Sequence, residues 1–357
     1  MKYLIFRIDA LDIRERGMYN KILWKNHDID IDVLSATKEE WSKMSFDPRN
    51  LGCFSDTAPN INFIDKSQFN IDDYDMVEIV DGEIGRIKNI VERFLQKNKK
   101  IILKCWTQPS FEQSWKIWGN KINYWHTINM GNINSYISDW NPEYGIYISQ
   151  AIEPDFFSYK EPRQVPEPLM IGYLGVLTWW KGHQYIEKIV ADLADKNNNV
   201  QLLMFGRSSP QFGDEKQLNH KAVKYVGVLR DRNQVPKAFH LFDVFCDPWE
   251  PGPIINGSIA KNKPDSFRVA CAEALMCGLP IIAFNCPAAR EFVEHEKNGF
   301  LAENVEEMSD YIMRYYNNPK LIRQHSLYSR EKAIKQLAPE VVINKMIEWL
   351  KWKLIQI

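Results

Sequence analysis

The chain has 357 residues, of which 45% are hydrophobic and 25% charged, and its formal net charge is -1. That is the composition of an ordinary soluble globular protein, too long for one hydrophobic core, so two domains of roughly 150 to 190 residues are expected. Acids and bases are mixed along the whole length, which leaves no basic stripe for nucleic acid.

No apolar run reaches the ~18 residues of a membrane span, and the start MKYLIFRIDALD carries acids where the apolar stretch of a signal peptide would continue. Six cysteines, Cys53, Cys105, Cys246, Cys271, Cys277 and Cys286, form no CxxC pair. They read as free thiols of a reducing compartment, so a cytoplasmic protein is expected. The 12 tryptophans leave peripheral contact with the inner face of a membrane open, because indole rings suit a lipid interface as well as sugar faces.

In chain order, a first strand is expected at Lys2 to Ile8, then a polar loop, a helix from about Gly17 to Trp24 and a strand near Ile31 to Leu34. A long irregular stretch precedes a strand at Met76 to Val80, a helix at about Ile84 to Gln96 and a strand at Ile101 to Cys105. Short apolar strands alternating with amphipathic helices make a parallel sheet covered on both faces. Pro162, Pro166 and Pro168 then stiffen a connector that marks a boundary. Beyond it the alternation restarts. Strands are expected at Met170 to Leu174, Val200 to Phe205, Ala222 to Val226, Val244 to Cys246 and Pro280 to Phe284, with a helix at about Gln184 to Asp195. Helices fill the rest, closing with one at about Pro339 to Leu354. The expected division is 1–160, 161–336, and a C-terminal helix over 337–357 that packs back towards the first domain.

The stretch DSFRVACAEALMCGLP, Asp265 to Pro280, carries the strongest functional signal. Asp265 and Ser266 suit a helix N-cap, so a helix should begin near Phe267 and stop at Gly278. Glu273 then lies among Val269, Ala270, Met276 and Cys277, all apolar, and an unpaired buried carboxylate costs several kcal/mol. Either an internal base such as Arg290 satisfies it, or a ligand does. Asp265 and Glu273 are eight residues apart, about 12 Å along a helix. That span suits a nucleotide-sugar, with one acid on the transferred sugar, the other on the ribose, and the amides of Ser266 to Val269 facing the diphosphate.

An acid, seven residues and a glutamate in this setting resemble the donor-site signature of the retaining glycosyltransferases of family four, the group 1 glycosyl transferases of GT-B fold. GYLGVLTWWKG (Gly172 to Gly182), VQLLMFGR, VKYVGVL (Val223 to Leu229), FDVFCDP and EFVEHEKNGFLAE (Glu291 to Glu303) resemble further blocks of that family in order and spacing. YISQAIEPDFF is similar to its end-of-first-domain pattern. The resemblance is specific over about 145–305 and architectural before that.

It implies two Rossmann-like doubly wound α/β domains facing each other across a cleft, with the acceptor on the first and a UDP- or GDP-sugar on the second. The implied chemistry is metal-independent transfer, with retention, of a hexose-type sugar to a saccharide acceptor, lipid-linked or free. The implied donor-site residues are Gly175, Lys181, Arg207, Val228, Ser266, Phe267, Arg268, Val269 and Glu273. Lys181 stabilises the leaving diphosphate and Asp265 orients the sugar.

Three departures stand out. The arginine usual before the lysine is absent, with Arg207 or Arg268 as substitutes; the first glycine loop is reduced to Gly17; and Cys105-Trp106-Thr107 stands where a histidine is common, with His126 the nearest replacement. Gly17, Trp106 and Asp81 are the acceptor-side candidates, with Glu83, Trp179 and Trp180 beside the expected cleft. Asp28, Asp30 and Asp32 suggest a DxD metal motif by pattern, but they fall at a strand entry, away from the edge where ligands collect, and no metal or cofactor is expected. Two other readings remain: a non-catalytic nucleotide-sugar-binding subunit, favoured by the missing histidine and glycine loop, and a GT-B sugar-nucleotide epimerase.

Overall fold

A computed structural model describes residues 2–7, 30–34, 62–64, 69–80, 84–105, 114, 116–127, 145–164, 167–178, 181–207, 218–231, 233–249, 254–255, 258–259 and 268–355. The chain divides into two compact units, one of 1–151 with 264–267 and 339–357, the other of 152–263 with 268–338.

The first unit is a parallel sheet of β1 (Lys2–Arg7), β2 (Asp30–Leu34), β3 (Asn62–Ile64), β4 (Met76–Val80), β5 (Lys100–Cys105), β6 (Tyr124–Thr127) and β7 (Gly145–Tyr147), in the order β3-β2-β1-β4-β5-β6-β7. The reversal of order at β1 and β4 is the mark of a doubly wound unit. Its core joins Val77 and Ile79 of β4 and Ile101 and Leu103 of β5 to Phe94 of α1 (Ile84–Gln96), with Trp118 and Trp125 also inside. Two of the clustered tryptophans are therefore core residues. Asp32, one of the three alternating aspartates, accepts a hydrogen bond from the Tyr74 hydroxyl at 2.7 Å and pairs with Lys2 at 3.4 Å. It ties β2 to its neighbours; Asp28 lies outside the described residues.

The second unit repeats the plan with β8 (Leu169–Leu174), β9 (Val200–Phe205), β10 (Val223–Gly227) and β11 (Val244–Asp247). A short antiparallel hairpin, β12 (Ile254–Ile255) with β13 (Ser258–Ile259), stands apart from this sheet. β14 (Ile281–Phe284) and β15 (Gly299–Ala302) complete the parallel order β10-β9-β8-β11-β14-β15. All four residues of β14 are buried, the pattern of a strand covered on both faces. The helix α2 (His183–Asp195) buries Ile186, Ile189, Val190 and Leu193, a three-and-four spacing that places one stripe against the sheet.

α3 (Gln234–Phe239), α4 (Val269–Met276), α5 (Pro287–Phe292), α6 (Val305–Asn317), α7 (Pro319–Leu337) and α8 (Pro339–Ile355) follow. Asn304 caps α6 by accepting from the Glu307 amide at 2.8 Å, and Glu307 reaches back to the Glu303 amide at 3.0 Å. Two otherwise orphaned amides are satisfied at once. Trp349 of α8 meets the ring of Tyr124 edge-on, with centroids 5.1 Å apart, so this helix belongs to the first unit although it is last in the chain. No described helix is long and apolar enough to cross a membrane.

Candidate functional site

In an open parallel sheet, ligands gather beyond the carboxyl ends of the strands. At that edge of the second unit the backbone is unusually crowded. A Cβ at Gly206, just after β9, would lie 1.8 Å from the carbonyl oxygen of Gly175, just after β8. One at Gly182, ahead of α2, would lie 1.9 Å from the carbonyl oxygen of Pro248, just after β11. Gly182 also has φ +72°, a left-handed conformation that glycine adopts without strain. These contacts draw three strand ends and one helix start together.

Lys181 sits at that junction, its amide bonded to the Thr178 carbonyl at 2.8 Å. Its ammonium lies 3.4 Å from the centre of the Trp249 ring, a close cation–π contact. On the same ring, at 5.0 Å, lies the guanidinium carbon of Arg268. Arg268 is 4% exposed and donates through Nη1 to Asp247 Oδ2 at 2.6 Å, and through Nη2 to the Trp249 carbonyl at 3.2 Å and Cys286 Sγ at 2.8 Å. The Cys271 thiol donates to the same Asp247 oxygen at 3.1 Å. Burial pushes the Asp247 carboxyl up, but the charge of Arg268, the Cys271 hydrogen bond and the charge of Lys181 outweigh it and hold the group below its ordinary value. Asp247 is an anion. Burial, with Asp247 as the next cause, raises the Cys271 thiol well above its usual range, so it stays protonated.

The helix of the donor motif, α4, begins at Val269, two residues later than its cap pattern indicates. Arg268 occupies the N-cap with no side-chain cap bond, since a guanidinium has no acceptor for a helix amide; its side chain is bonded to Asp247 instead. The helix ends as expected. Cys277 is the C-cap and Gly278, at φ +81°, supplies the left-handed residue after it. Glu273 is buried, 2% exposed, on the inner face of this helix. Arg290 is exposed and donates to Asn285 Oδ1 at 2.7 Å.

Of the donor-side residues read from the sequence, Gly175, Lys181, Arg207, Val228 and Arg268 all fall at this one edge, beyond the ends of β8, β9 and β10 or at the start of α4. Gly175 bonds through its amide to the Phe205 carbonyl, and the Arg207 carbonyl accepts from the Leu177 amide, both at 2.9 Å. The Arg207 side chain is exposed, as is Val228. Val269 is half-buried in the first turn of α4. Asp265, Ser266 and Phe267 lie outside the described residues, and so do Gly17, Asp81, Glu83, Trp106, Trp179 and Trp180.

His126 is elsewhere, on β6 of the first unit, 2% exposed, with Nδ1 3.3 Å from Glu78 Oε1. Lys104 Nζ lies 3.9 Å from the same oxygen. Three ionisable groups on three adjacent strands thus share the interior of that sheet. Among the described residues no cluster of three or more His, Cys, Asp or Glu could hold a metal ion.

Sequence reasoning missed Asp247, Glu78 and Lys104 as members of these clusters. The signal was present: MVEIV, IILKC and VFCDP each set one charge in an apolar strand, where an ion is expensive without a partner.

Residues 168–318 match the family model described as glycosyl transferases group 1. A curated relative, an uncharacterized glycosyltransferase of Haemophilus influenzae, is 29% identical over 189 residues, which are 50% of this chain and 46% of the relative. The chain thus spans about half the length of the curated relative it matches. Among solved structures, sucrose-phosphate synthase of Thermosynechococcus elongatus aligns with a TM-score of 0.71 at 13% identity, covering 100% of both chains. HepE of Anabaena, solved with UDP and glucose, aligns with a TM-score of 0.68 at 13% identity, covering 98% of this chain and 99% of its own. The family match covers residues 168–318, overlapping the stretch where the motifs resemble group 1 glycosyl transferases, and the fold is GT-B.

Proposed function

We propose, on the premise that residues 168–318 form a group 1 glycosyl transferase domain within a GT-B fold, that the protein transfers a hexose-type sugar from a nucleoside diphosphate donor to a saccharide acceptor, free or lipid-linked, in surface polysaccharide assembly. The observation that carries the reading is the Lys181 ammonium, held against Trp249 at the carboxyl edge of the second sheet. HepE, of the same fold, was solved with UDP and glucose, which makes UDP-glucose the first donor to try.

In the proposed mechanism, the anomeric C–O bond breaks with its electron pair going to the leaving diphosphate, which gains one negative charge, and fixed positive groups meet it without reorganisation. Lys181, the exposed Arg207 and the amides at the start of α4 are those groups. Glu273 grips ribose hydroxyls and Asp265 orients the transferred sugar, whose anomeric carbon takes on oxocarbenium character. Protein cations do the neutralising, so the reaction is proposed to run without metal, and with retention. The acceptor meets the first unit, where Gly17, Asp81 and Trp106 are its proposed contacts. The proposed setting is the cytoplasm, at the inner face of the membrane if the acceptor is lipid-linked.

A second reading is favoured by one observation. His126, the nearest replacement for the histidine missing at Cys105-Trp106-Thr107, is buried beside Glu78, as suits a donor-binding subunit without acceptor chemistry. Consumption of UDP-glucose, and of GDP-mannose in parallel, separates the two. Turnover lost in Lys181→Ala and Glu273→Ala supports the transferase, whereas tight binding with no turnover supports the subunit. Conversion of the donor's sugar without any acceptor would point instead to an epimerase.

A further inference from the structure

Asp247 poses a problem for a site that binds a diphosphate. It is an anion at the end of β11, in the electrostatic reach of Lys181, and a carboxylate there competes with phosphate for the lysine's charge. The competition is met inside the protein. Arg268 reaches Asp247 Oδ2 at 2.6 Å while anchored by the Trp249 carbonyl and Cys286, and the ring of that same Trp249 underlies the Lys181 ammonium at 3.4 Å. Opposite charges at such a separation interact strongly when water is excluded, and an interior guanidinium already held by three acceptors gives up those bonds if it turns towards a ligand.

We propose that Arg268 is a positioning residue for the donor site. By neutralising Asp247 it keeps Lys181 on the face of Trp249, presented to the diphosphate, instead of drawn into an ion pair with Asp247. Arg268 thus acts through Lys181 and does not itself touch the phosphates. This inference rests on the donor-site reading above and adds to it which of the two basic groups acts directly.

The test is UDP and GDP binding by calorimetry to the full chain, in a cycle of variants whose folding is checked by thermal melting. Arg268→Met leaves Asp247 to capture Lys181 and should weaken binding by about tenfold to a hundredfold, the range of coupling within one charge network. Adding Asp247→Asn to it should restore affinity to within about threefold. The same Arg268→Met change made in a Lys181→Ala background should cost almost nothing more, since the group it acts through is gone. A merely structural arginine, or one in contact with phosphate, would weaken binding equally in both backgrounds, and that outcome overturns the proposal while leaving the donor site standing. Should Arg268→Met fail to fold, Asp247→Asn alone decides: affinity equal to or tighter than wild type supports the proposal, and a tenfold loss contradicts it. If the wild type binds neither nucleotide, the donor-site reading falls and the inference with it.

Discussion

A methyl group at residue 182 would lie 1.9 Å from the carbonyl oxygen of Pro248, so the approach of α2 to the end of β11 exists only because residue 182 is glycine. The same approach sets Lys181 beside Trp249, the residue after Pro248. Gly182→Ala must therefore push the two segments apart and strain a left-handed backbone as well. It should destabilise the second unit by about 2 kcal/mol or more, and lower donor turnover with it, as a melting curve and an activity assay on the same sample will show.

Arg330 holds several turns of the second unit at once. Its guanidinium donates to the carbonyls of Phe157 at 2.7 Å, Pro154 at 3.2 Å and Met276. Burial lowers its affinity for the proton below that of an ordinary arginine. Arg330→Met leaves three carbonyls without their donor and should cost about 2–4 kcal/mol. Denaturant unfolding measures it. Donor affinity should change little among the molecules that remain folded.

His325 predicts acid sensitivity of a definite sign. Its Nδ1 is 2.7 Å from the Tyr315 hydroxyl and its Nε2 is 3.1 Å from the Glu296 carbonyl, so the neutral ring accepts from the tyrosine and donates to the carbonyl. Burial pushes its pKa below the ordinary 6.5. A histidine with a depressed folded value stabilises the fold above its unfolded value and loses that contribution as pH falls through the folded one. The melting temperature should therefore drop between pH 7 and pH 5, and His325→Gln should flatten that part of the profile while lowering stability at pH 7.

Glu78 and Lys104 sit 3.9 Å apart at 0% and 1% side-chain exposure. Removing one partner from a buried pair leaves an uncompensated charge, which costs about 3–5 kcal/mol, whereas replacing both with apolar groups is often close to neutral. Glu78→Leu should unfold the first unit more readily than the Glu78→Leu, Lys104→Met double variant does. Equal melting temperatures for the two would show that the charges do not interact.

Much of this architecture was legible in the chain. The strand at Met76 to Val80 and the helix Ile84 to Gln96 were read to the residue, because a continuous apolar run and a three-and-four apolar spacing are unambiguous where an element packs along its whole length. The motif stretch gave the far end of α4 correctly through Gly278, since a left-handed C-cap is a local property of the backbone. Its start was misread for an equally physical reason. A cap pattern records what Asp265 and Ser266 favour locally, while the pull of Asp247 on Arg268 comes from a strand 21 residues earlier in the chain.

Long-range pairing is invisible to local reading, and this also accounts for the buried group on β4, β5 and β6. Glu78, Lys104 and His126 are 48 residues apart at most and are joined only by the register of adjacent strands. His126 could be named from the sequence as a candidate, but not its neighbours. Trp125, beside it, reads equally well as a ring for stacking on sugar or as core; at 1% exposure it is core.

The account stands or falls on the lysine at the carboxyl edge of the second sheet. Calorimetric titration of the wild-type chain, Lys181→Ala and Glu273→Gln with UDP and with GDP tests it most directly. One of the two nucleotides should bind the wild type, and both substitutions should weaken that binding at least about tenfold, the loss of one charge-assisted contact of roughly 1.5–3 kcal/mol. Unchanged affinity in Lys181→Ala, or no heat from either nucleotide with the wild type, would contradict it.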